Sequence, residues 1–363
     1  MSFINYVRKA KDLFLNENEK YTKAVKGIDL GLARLATLYQ GGKIPKEITL
    51  TPGEVDTLAH KVVSLKGERK TGYFKASEHN IPRPVQITDD GRVFVHYSKK
   101  DELLWEGGGN KIKAASDITN DKIYVRRTRQ RLYCPDVGPK NMEEYRAEYK
   151  RQNEILDEPN ARQADFYKDQ LKDKEHFVEV IGKTTFIAKD EAKKTVVLME
   201  FCEDGSLAKI VDENTAPFET RLDVSIGVLK AAKVMHKKNI VHKDLKPENI
   251  LQNGKQIKIT DFDEAIVGEF IECPVSGSTQ RYVPPGGSRS CLKANDIFAL
   301  GMTLKDICFG RDDRTVSQIR ATLSDPKELA TLHIIEKMLE PKLENRTITA
   351  SQALKQLSNL QKK

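Results

Sequence analysis

The stretch 241–263, VHKDLKPENILQNGKQIKITDFD, constrains this 363-residue chain more than any other part of it. Asp244 stands two residues before Lys246 and five before Asn249. A second aspartate, Asp261, follows 12 residues after Asn249, at the end of the apolar alternation Ile257-Lys258-Ile259. Phosphoryl transfer asks a protein for such a set. One carboxylate orients the attacking hydroxyl, a cation meets the charge of the transferring phosphate, and two oxygen ligands hold Mg2+.

The rest of the composition is permissive. Apolar residues make up 39% and charged residues 31%, enough for a core beneath a solvated surface, which excludes a disordered or low-complexity chain. The length suits two domains or one large two-lobed one. No apolar run nears the ~18 residues of a membrane span. The N-terminus, MSFINYVRKAKDLF, places Arg8, Lys9 and Lys11 in its only apolar stretch and does not read as a signal peptide. A net charge of +8 admits an acidic partner such as a nucleotide, a nucleic acid or an anionic membrane surface. The five cysteines (Cys134, Cys202, Cys273, Cys291, Cys308) are scattered and form no C-x-x-C pair. That pattern predicts neither a disulfide framework nor a zinc site, and fits a soluble protein of a reducing, cytoplasmic compartment.

Periodicity divides the chain. Phe3, Ile4, Val7, Leu13 and Phe14, then Leu30, Leu32, Leu35 and Leu38, fall at helical spacing up to Gly41-Gly42. Thr51-Pro52-Gly53-Glu54 predicts a capping box that opens a second helix, whose apolar face is Val55, Leu58, Val62 and Leu65 and whose end is Gly67. Val85 and Ile87, then Val93, Val95 and Tyr97, flank Asp89-Asp90-Gly91 as a hairpin. Strands are expected at 102–106, 111–115, 122–126, 177–181 and 195–201, with a charged helix at 141–156 and a polar insertion or solvated helix near 157–176. After Gly205 the pattern is mostly helical. Strands followed by helices predict an α+β fold with two lobes.

The segment HKDLKPENIL resembles the catalytic loop H-R-D-x-x-x-x-N of the eukaryotic-type protein kinase family, and DFD stands where that family has D-F-G. The resemblance implies Asp244 as catalytic base or hydroxyl positioner, Lys246 as phosphate contact, and Asn249 and Asp261 as Mg2+ ligands. Lys246-Pro247-Glu248-Asn249 resembles the serine/threonine branch. TVVLMEFCEDGSL at 195–207 resembles the strand and hinge that hold adenine, which implies Met199 as gatekeeper, the backbone of Glu200 and Cys202 facing the base, and Leu251 beneath it. GSTQRYVPPGG at 277–287 resembles an activation segment ending in A-P-E. NDIFALG at 295–301 implies Asp296 as the brace of the catalytic loop, and ENRTITASQAL at 344–354 implies Arg346 as the closing arginine. LWEGGGNKIKAA at 104–115 is similar to the glycine-rich loop. Gly107, Gly108 and Gly109 lie beside Trp105 and Asn110, and Ile112 takes the valine position; backbone N–H groups there would close over phosphates. The resemblance covers about residues 98–358. It implies ATP and Mg2+ as cofactors and a two-lobed protein-kinase-like fold with a helical extension at 1–70. A hairpin-containing connector at 71–97, an N-lobe at 98–203 and a C-lobe at 204–363 complete the plan.

Several positions depart from that pattern. KIYVRRT at 122–128 has no lysine of V-A-I-K and offers Arg126 or, with a one-residue shift, Arg127; Lys111 or Lys113 on the preceding strand are the other cations. The expected helix acid falls on Gln152, with Glu148 one turn earlier. Asp263 replaces the D-F-G glycine, Lys243 the catalytic-loop arginine, and Gly286 the glutamate of A-P-E. Lys243 could pair with a phosphate on Ser276, Ser278, Thr279 or Tyr282. Arg346, deprived of its usual partner, needs another acceptor.

The expectation is therefore ATP- and Mg2+-dependent transfer to serine or threonine hydroxyls of a protein substrate, the alternative being a pseudokinase that binds without transfer. Residues 1–97 are a candidate docking module. Nucleic acid is a poor candidate partner, because the run Arg126-Arg127-Thr128-Arg129-Gln130-Arg131 lacks interleaved aromatics and reads as a strand with a solvated face.

Overall fold

The computed structural model describes residues 15–362 apart from 45, 100–101, 108, 131–141, 189–190, 271–278 and 286–291. The chain divides into two compact units, Met1–Asp165 with Val180–Phe201, and Phe166–Glu179 with Cys202–Lys363. The divisions along the chain fall after Asp165, Glu179 and Phe201. The first falls inside a helix.

The first unit starts with helices α1 (Glu17–Gln40) and α2 (Pro52–Gly67). Both open on capping boxes, Asn16 with Glu19 and the expected Thr51 with Glu54, which satisfy amide groups that a helix start otherwise leaves orphaned. An eight-stranded antiparallel sheet follows among the described residues: β1 (Gly72–Phe74), β2 (Val85–Ile87), β3 (Val93–His96), β4 (Leu103–Gly107), β5 (Asn110–Asp117), β6 (Lys122–Arg129), β7 (Val180–Ile187) and β8 (Lys193–Glu200). Their order is β1-β2-β3-β5-β6-β8-β7, with β4 on the first half of β5 while β3 takes the second half. The hairpin expected around Asp89-Asp90-Gly91 is β2–β3, and Gly91 supplies the left-handed turn residue at φ 81°. The outer strands approach side chain to side chain. Tyr73 stacks on Phe186 at 5.0 Å, Gln86 Nε2 donates to Thr184 Oγ1 at 2.9 Å, and Lys75 Nζ donates to the Ile187 carbonyl at 2.6 Å.

The helices are part of this unit's core. Ile28, Leu35 and Leu38 of α1 and Leu58, Val62 and Leu65 of α2 share one apolar cluster with Val93, Val95, Tyr97, Ala114 and Ile118. Close approach depends on glycine: a Cβ on Gly27 would lie 2.3 Å from the Ile118 carbonyl oxygen, and one on Gly31 would lie 2.8 Å from Ser116 Oγ. Gly27→Ala is accordingly expected to lower the unfolding free energy by about 2 kcal/mol in a urea titration. Gly53→Ala, where nothing lies within 4 Å, should stay within about 0.5 kcal/mol of the parent.

Three expectations are corrected here. The charged helix expected to end at 156 runs on through the stretch expected as an insertion or solvated helix: Met142–Gln170 form one helix, α3, and Phe166 and Tyr167 near its end pack within the second unit. The strand expected at 177–181 is β7 at Val180–Ile187. Phe177 and Val178 instead join Ile259 in the second unit, where Phe177 is fully buried. The basic run of β6 does not have a solvated face, since Arg126, Arg127 and Thr128 are buried.

The second unit is mostly helical. It contains β9 (Gly205–Ser206), α4 (Ala208–Glu213), α5 (Phe218–Lys237), β10 (Ile240–Val241), β11 (Ile250–Asn253), β12 (Gln256–Ile259) and β13 (Ile266–Val267). Helices α6 (Lys293–Phe309), α7 (Val316–Thr322), α8 (Pro326–Met338) and α9 (Ala350–Gln361) complete it. Strands β10 and β13 pair with each other, as do β9, β11 and β12, so the segment 240–267 is folded back on itself twice. No described helix is long and apolar enough to cross a membrane. The expected N-terminal helix positions Phe3, Ile4, Val7, Leu13 and Phe14 lie outside the described residues.

Candidate active site

Asp244, Lys246 and Asn249 converge because the backbone between β10 and β11 is tightly held. Asp296, at the start of α6 and almost fully buried, accepts the N–H groups of His242 (2.8 Å) and Lys243 (3.0 Å), and His236 Nε2 lies 3.1 Å away. This is the brace expected of Asp296. Lys243 itself is at φ 73°, a left-handed conformation uncommon for a side-chain-bearing residue. A 3-10 turn, Pro247–Asn249, then brings Asn249 back to Asp244. Asn249 Nδ2 donates to the Asp244 carbonyl at 2.8 Å and to its carboxylate at 2.9 Å. Lys246 Nζ donates to the same carboxylate at 2.6 Å and to Thr279 Oγ1 at 2.8 Å, while the Thr279 N–H approaches Asp244 Oδ1 at 3.4 Å. Asp244, Lys246, Asn249 and Thr279 thus form one hydrogen-bonded cluster.

Asp261 follows β12 at φ 63°, again left-handed, a region in which aspartate is tolerated better than most residues. Phe262, next to it, is buried against His242 (4.7 Å between rings), Tyr167, Phe166 and Phe177. That aromatic anchor fixes the backbone at Asp261. The positive φ at the D-F-D segment belongs to Asp261, not Asp263, so the missing glycine costs no backbone strain at Asp263. Lys243 Nζ lies 4.0 Å from Glu264, an internal carboxylate that competes with any phosphate for this cation. Leu251 sits in β11 between Ser206 of β9 and Lys258 of β12, and Cys202 is buried.

In the first unit, strand register separates the two arginines. Val125 pairs with Met199, Arg126 with Leu198 and Arg127 with Val197. Paired residues share a face and neighbours alternate, so Arg127 lies on the face of Met199 and Arg126 on the opposite one. Arg126 Nη1 donates to the Tyr73 hydroxyl at 3.3 Å, and burial together with the Arg126 charge holds the His96 imidazole well below its ordinary pKa. Lys113 pairs with Arg126 across the ladder and donates to the carbonyls of Ser98 and Lys99. Lys111, also on that opposite face, is in an ion pair with Glu106 at 3.1 Å. Ile112 pairs with Arg127. Gly107 pairs with Asn110 at the tip of the β4–β5 hairpin, Gly109 adopts φ 73°, and Gly108 lies outside the described residues. Asn110 accepts from Arg129 Nη1 at 3.1 Å. Glu200 is the last residue of β8.

The helix acid is corrected. Glu148 and Gln152 are exposed on α3 and bonded to each other at 2.7 Å. The sheet-facing positions are Asn153 and Asp157, both buried, and Asp157 accepts the Thr195 N–H of β8 at 2.6 Å. The phase of this charged helix could not be read from its own sequence, because it has almost no apolar stripe.

Beyond Thr279 the segment is tied to α6. Arg281 donates to Asp306 at 2.7 and 3.2 Å and to the Asp312 carbonyl at 2.8 Å, and the Tyr282 hydroxyl donates to Asp306 at 2.9 Å. Burial and the Asp306 charge push the Tyr282 phenol up, and the bond to Asp306 raises the Arg281 guanidinium. Sequence reasoning missed Arg281, Asp306 and Arg311. Its one available signal was a charged Asp306 inside the apolar run of α6. Arg346, whose usual partner position Gly286 lies outside the described residues, donates instead to the carbonyls of Glu340, Pro341 and Ala294, and stacks over Phe298 at 5.1 Å. Ser276 and Ser278 also lie outside the described residues.

Residues 172–360, just over half of the chain, match the family model described as the protein kinase domain. The chain is 29% identical over 164 residues to the probable serine/threonine-protein kinase CPE1738 of Clostridium perfringens, covering 43% of this chain and 23% of that protein. It is 31% identical over 126 residues to the serine/threonine-protein kinase nekl-2 of Caenorhabditis elegans, covering 31% and 35%. It is 32% identical over 128 residues to the MAP kinase kinase skh1/pek1 of Schizosaccharomyces pombe, covering 32% and 34%. The chain thus spans between about a quarter and a third of the length of these relatives.

Proposed function

The chain belongs to the protein kinase family, and on that premise we propose that it transfers the γ-phosphoryl group of ATP, with Mg2+, to serine or threonine hydroxyls of a protein substrate. The observation that carries this reading is the assembled cluster in which the Asp244 carboxylate receives Lys246 and Asn249 while Asp296 braces the loop. Asp244 takes the proton of the incoming hydroxyl as its oxygen bonds to phosphorus and the bridging P–O bond breaks. Lys246, already held at that carboxylate and at Thr279, meets charge on the transferring oxygens and on the substrate side of the site.

The donor set suits Mg2+, which takes one or two carboxylate or amide oxygens and completes its shell from phosphate and water. Asn249 commits its Nδ2 to Asp244, which leaves its Oδ1 as the ligand atom, and Asp261 supplies the carboxylate. When bound, ATP supplies the phosphoryl group and Mg2+ neutralises the phosphates. Arg127, on the Met199 face of β6, is the cation that takes the place of the missing strand lysine.

The missing strand lysine, the altered glycine loop and Gln152 at the expected helix-acid position favour a pseudokinase, and two measurements decide between the readings. Purified chain incubated with ATP and Mg2+ should gain phosphate-sized mass increments that Asp244→Asn does not; transfer by neither to itself nor to a general protein acceptor favours the binding module. Arg127→Ala should lower kcat/KM by about 100-fold, the scale of losing one transition-state donor. Lys111→Ala should change it less than about twofold, because an exposed strand ion pair is weak. The reverse ranking would move the role to β5.

A further inference from the structure

A pocket of about 280 Å³ opens beside the Asp244 cluster, lined by Lys246, Glu248, Thr279, Arg281, Tyr282 and Arg311. Its volume is at the low end for small-molecule sites, which suits a single side chain rather than a nucleotide. Lys246 is shared with the catalytic cluster, so whatever fills the pocket lies next to the acceptor hydroxyl.

Three cationic heads face one carboxylate in this lining. The acids that could have welcomed a basic residue are already occupied from within the chain. Asp306, fully buried, is gripped by Arg281 through two bonds and by the Tyr282 hydroxyl. Glu248 is paired with Arg311 at 2.8 Å through Oε1, and its Oε2 is shielded from solvent. Arg311 is the less committed arginine. Beyond Glu248 its closest acids are Asp212 at 3.7 Å and Asp306 at 3.8 Å, both too long for hydrogen bonds. Its remaining N–H groups are available to an oxyanion. Asp212 and Asp313 touch the arginines from the solvent side, where screening weakens them.

We infer that this pocket selects an anionic side chain, carboxylate or phosphomonoester, beside the serine or threonine that is phosphorylated, and rejects a basic one. Arg311 is the specificity determinant and Arg281 the positioning residue that keeps Asp306 occupied. The inference rests on the proposed transfer activity and names its substrate class.

The test uses the full chain with ATP, Mg2+ and serine peptides in which each flanking position is in turn Ala, Arg, Glu or phosphoserine. At one position Glu or phosphoserine should raise kcat/KM about fivefold or more over Ala, with Arg below Ala. Phosphoserine well above Glu identifies a previously phosphorylated substrate, and equality identifies a plain acidic one. Arg311→Glu should reverse the order, favouring Arg. A flat profile, or an Arg preference in the parent, overturns the inference. If no peptide is phosphorylated, the same peptides carrying a fluorophore report binding by anisotropy. Tighter binding of the acidic peptides, reversed by Arg311→Glu, then sustains the pocket while the transfer reading fails. Equal binding overturns the pocket as well.

Discussion

Asp244→Asn is expected to cut phosphoryl transfer by about 10²–10⁴-fold, the range of a lost general base. The amide keeps the size of the side chain but cannot take the hydroxyl proton. It also loses the charge that holds Lys246 Nζ at 2.6 Å. Stability should change little, because Asp296 and the turn at Pro247–Asn249 fix the loop independently of Asp244. The measurement is single-turnover transfer alongside thermal unfolding. A variant that unfolds as the parent does yet transfers within tenfold of it would remove Asp244 from the base role.

The second large effect concerns stability. Arg83→Ala is expected to cost about 3–5 kcal/mol, as removal of one partner strands the other charge in the interior. Arg83 pairs with Glu102 at 2.6 Å, with both side chains more than nine-tenths buried, and its guanidinium also donates to the carbonyls of Pro82 and Thr49. This pair links the connector and the loop before α2 to the start of β4. The double variant Arg83→Met, Glu102→Met should recover much of the loss, since no orphan charge remains. Denaturant unfolding of the two single variants and the double one reads the cycle. Single variants within about 1 kcal/mol of the parent would mean that the pair contributes little. The same reasoning changes the view of residues 1–97. A docking module was the expectation, yet α1 and α2 spend their apolar faces on the strands, so their truncation should expose the sheet rather than leave it intact.

The Asp244 cluster was legible because its residues are close along the chain. Asp244, Lys246 and Asn249 lie within six residues, and the proline-led turn Pro247–Asn249 brings Asn249 back to Asp244. Helix starts at Thr51 and the hairpin at Asp89-Asp90-Gly91 were legible for the same reason, since caps and turns are made by neighbours. The choice between Arg126 and Arg127 was not. A one-residue shift inverts the face of every side chain, and only pairing with β8 sets that register. The true inner face of α3 was hidden because a charged helix shows its phase only through what it packs against, here Thr195 and, at its end, Phe262.

Arg346 makes the same division in one residue. Its burial and its need of a partner followed from the sequence, but backbone carbonyls, which have no sequence signature, accept its charge. The sequence by itself thus determined the family pattern and the short-range turns, because these depend on residues close along the chain. Tertiary structure alone decided which arginine shares a face with Met199, how the N-terminal helices are used, and that Arg281 and Arg311 occupy the acids beside Asp244. Those outcomes depend on contacts between residues tens of positions apart, whose pairing is set by packing and not by spacing.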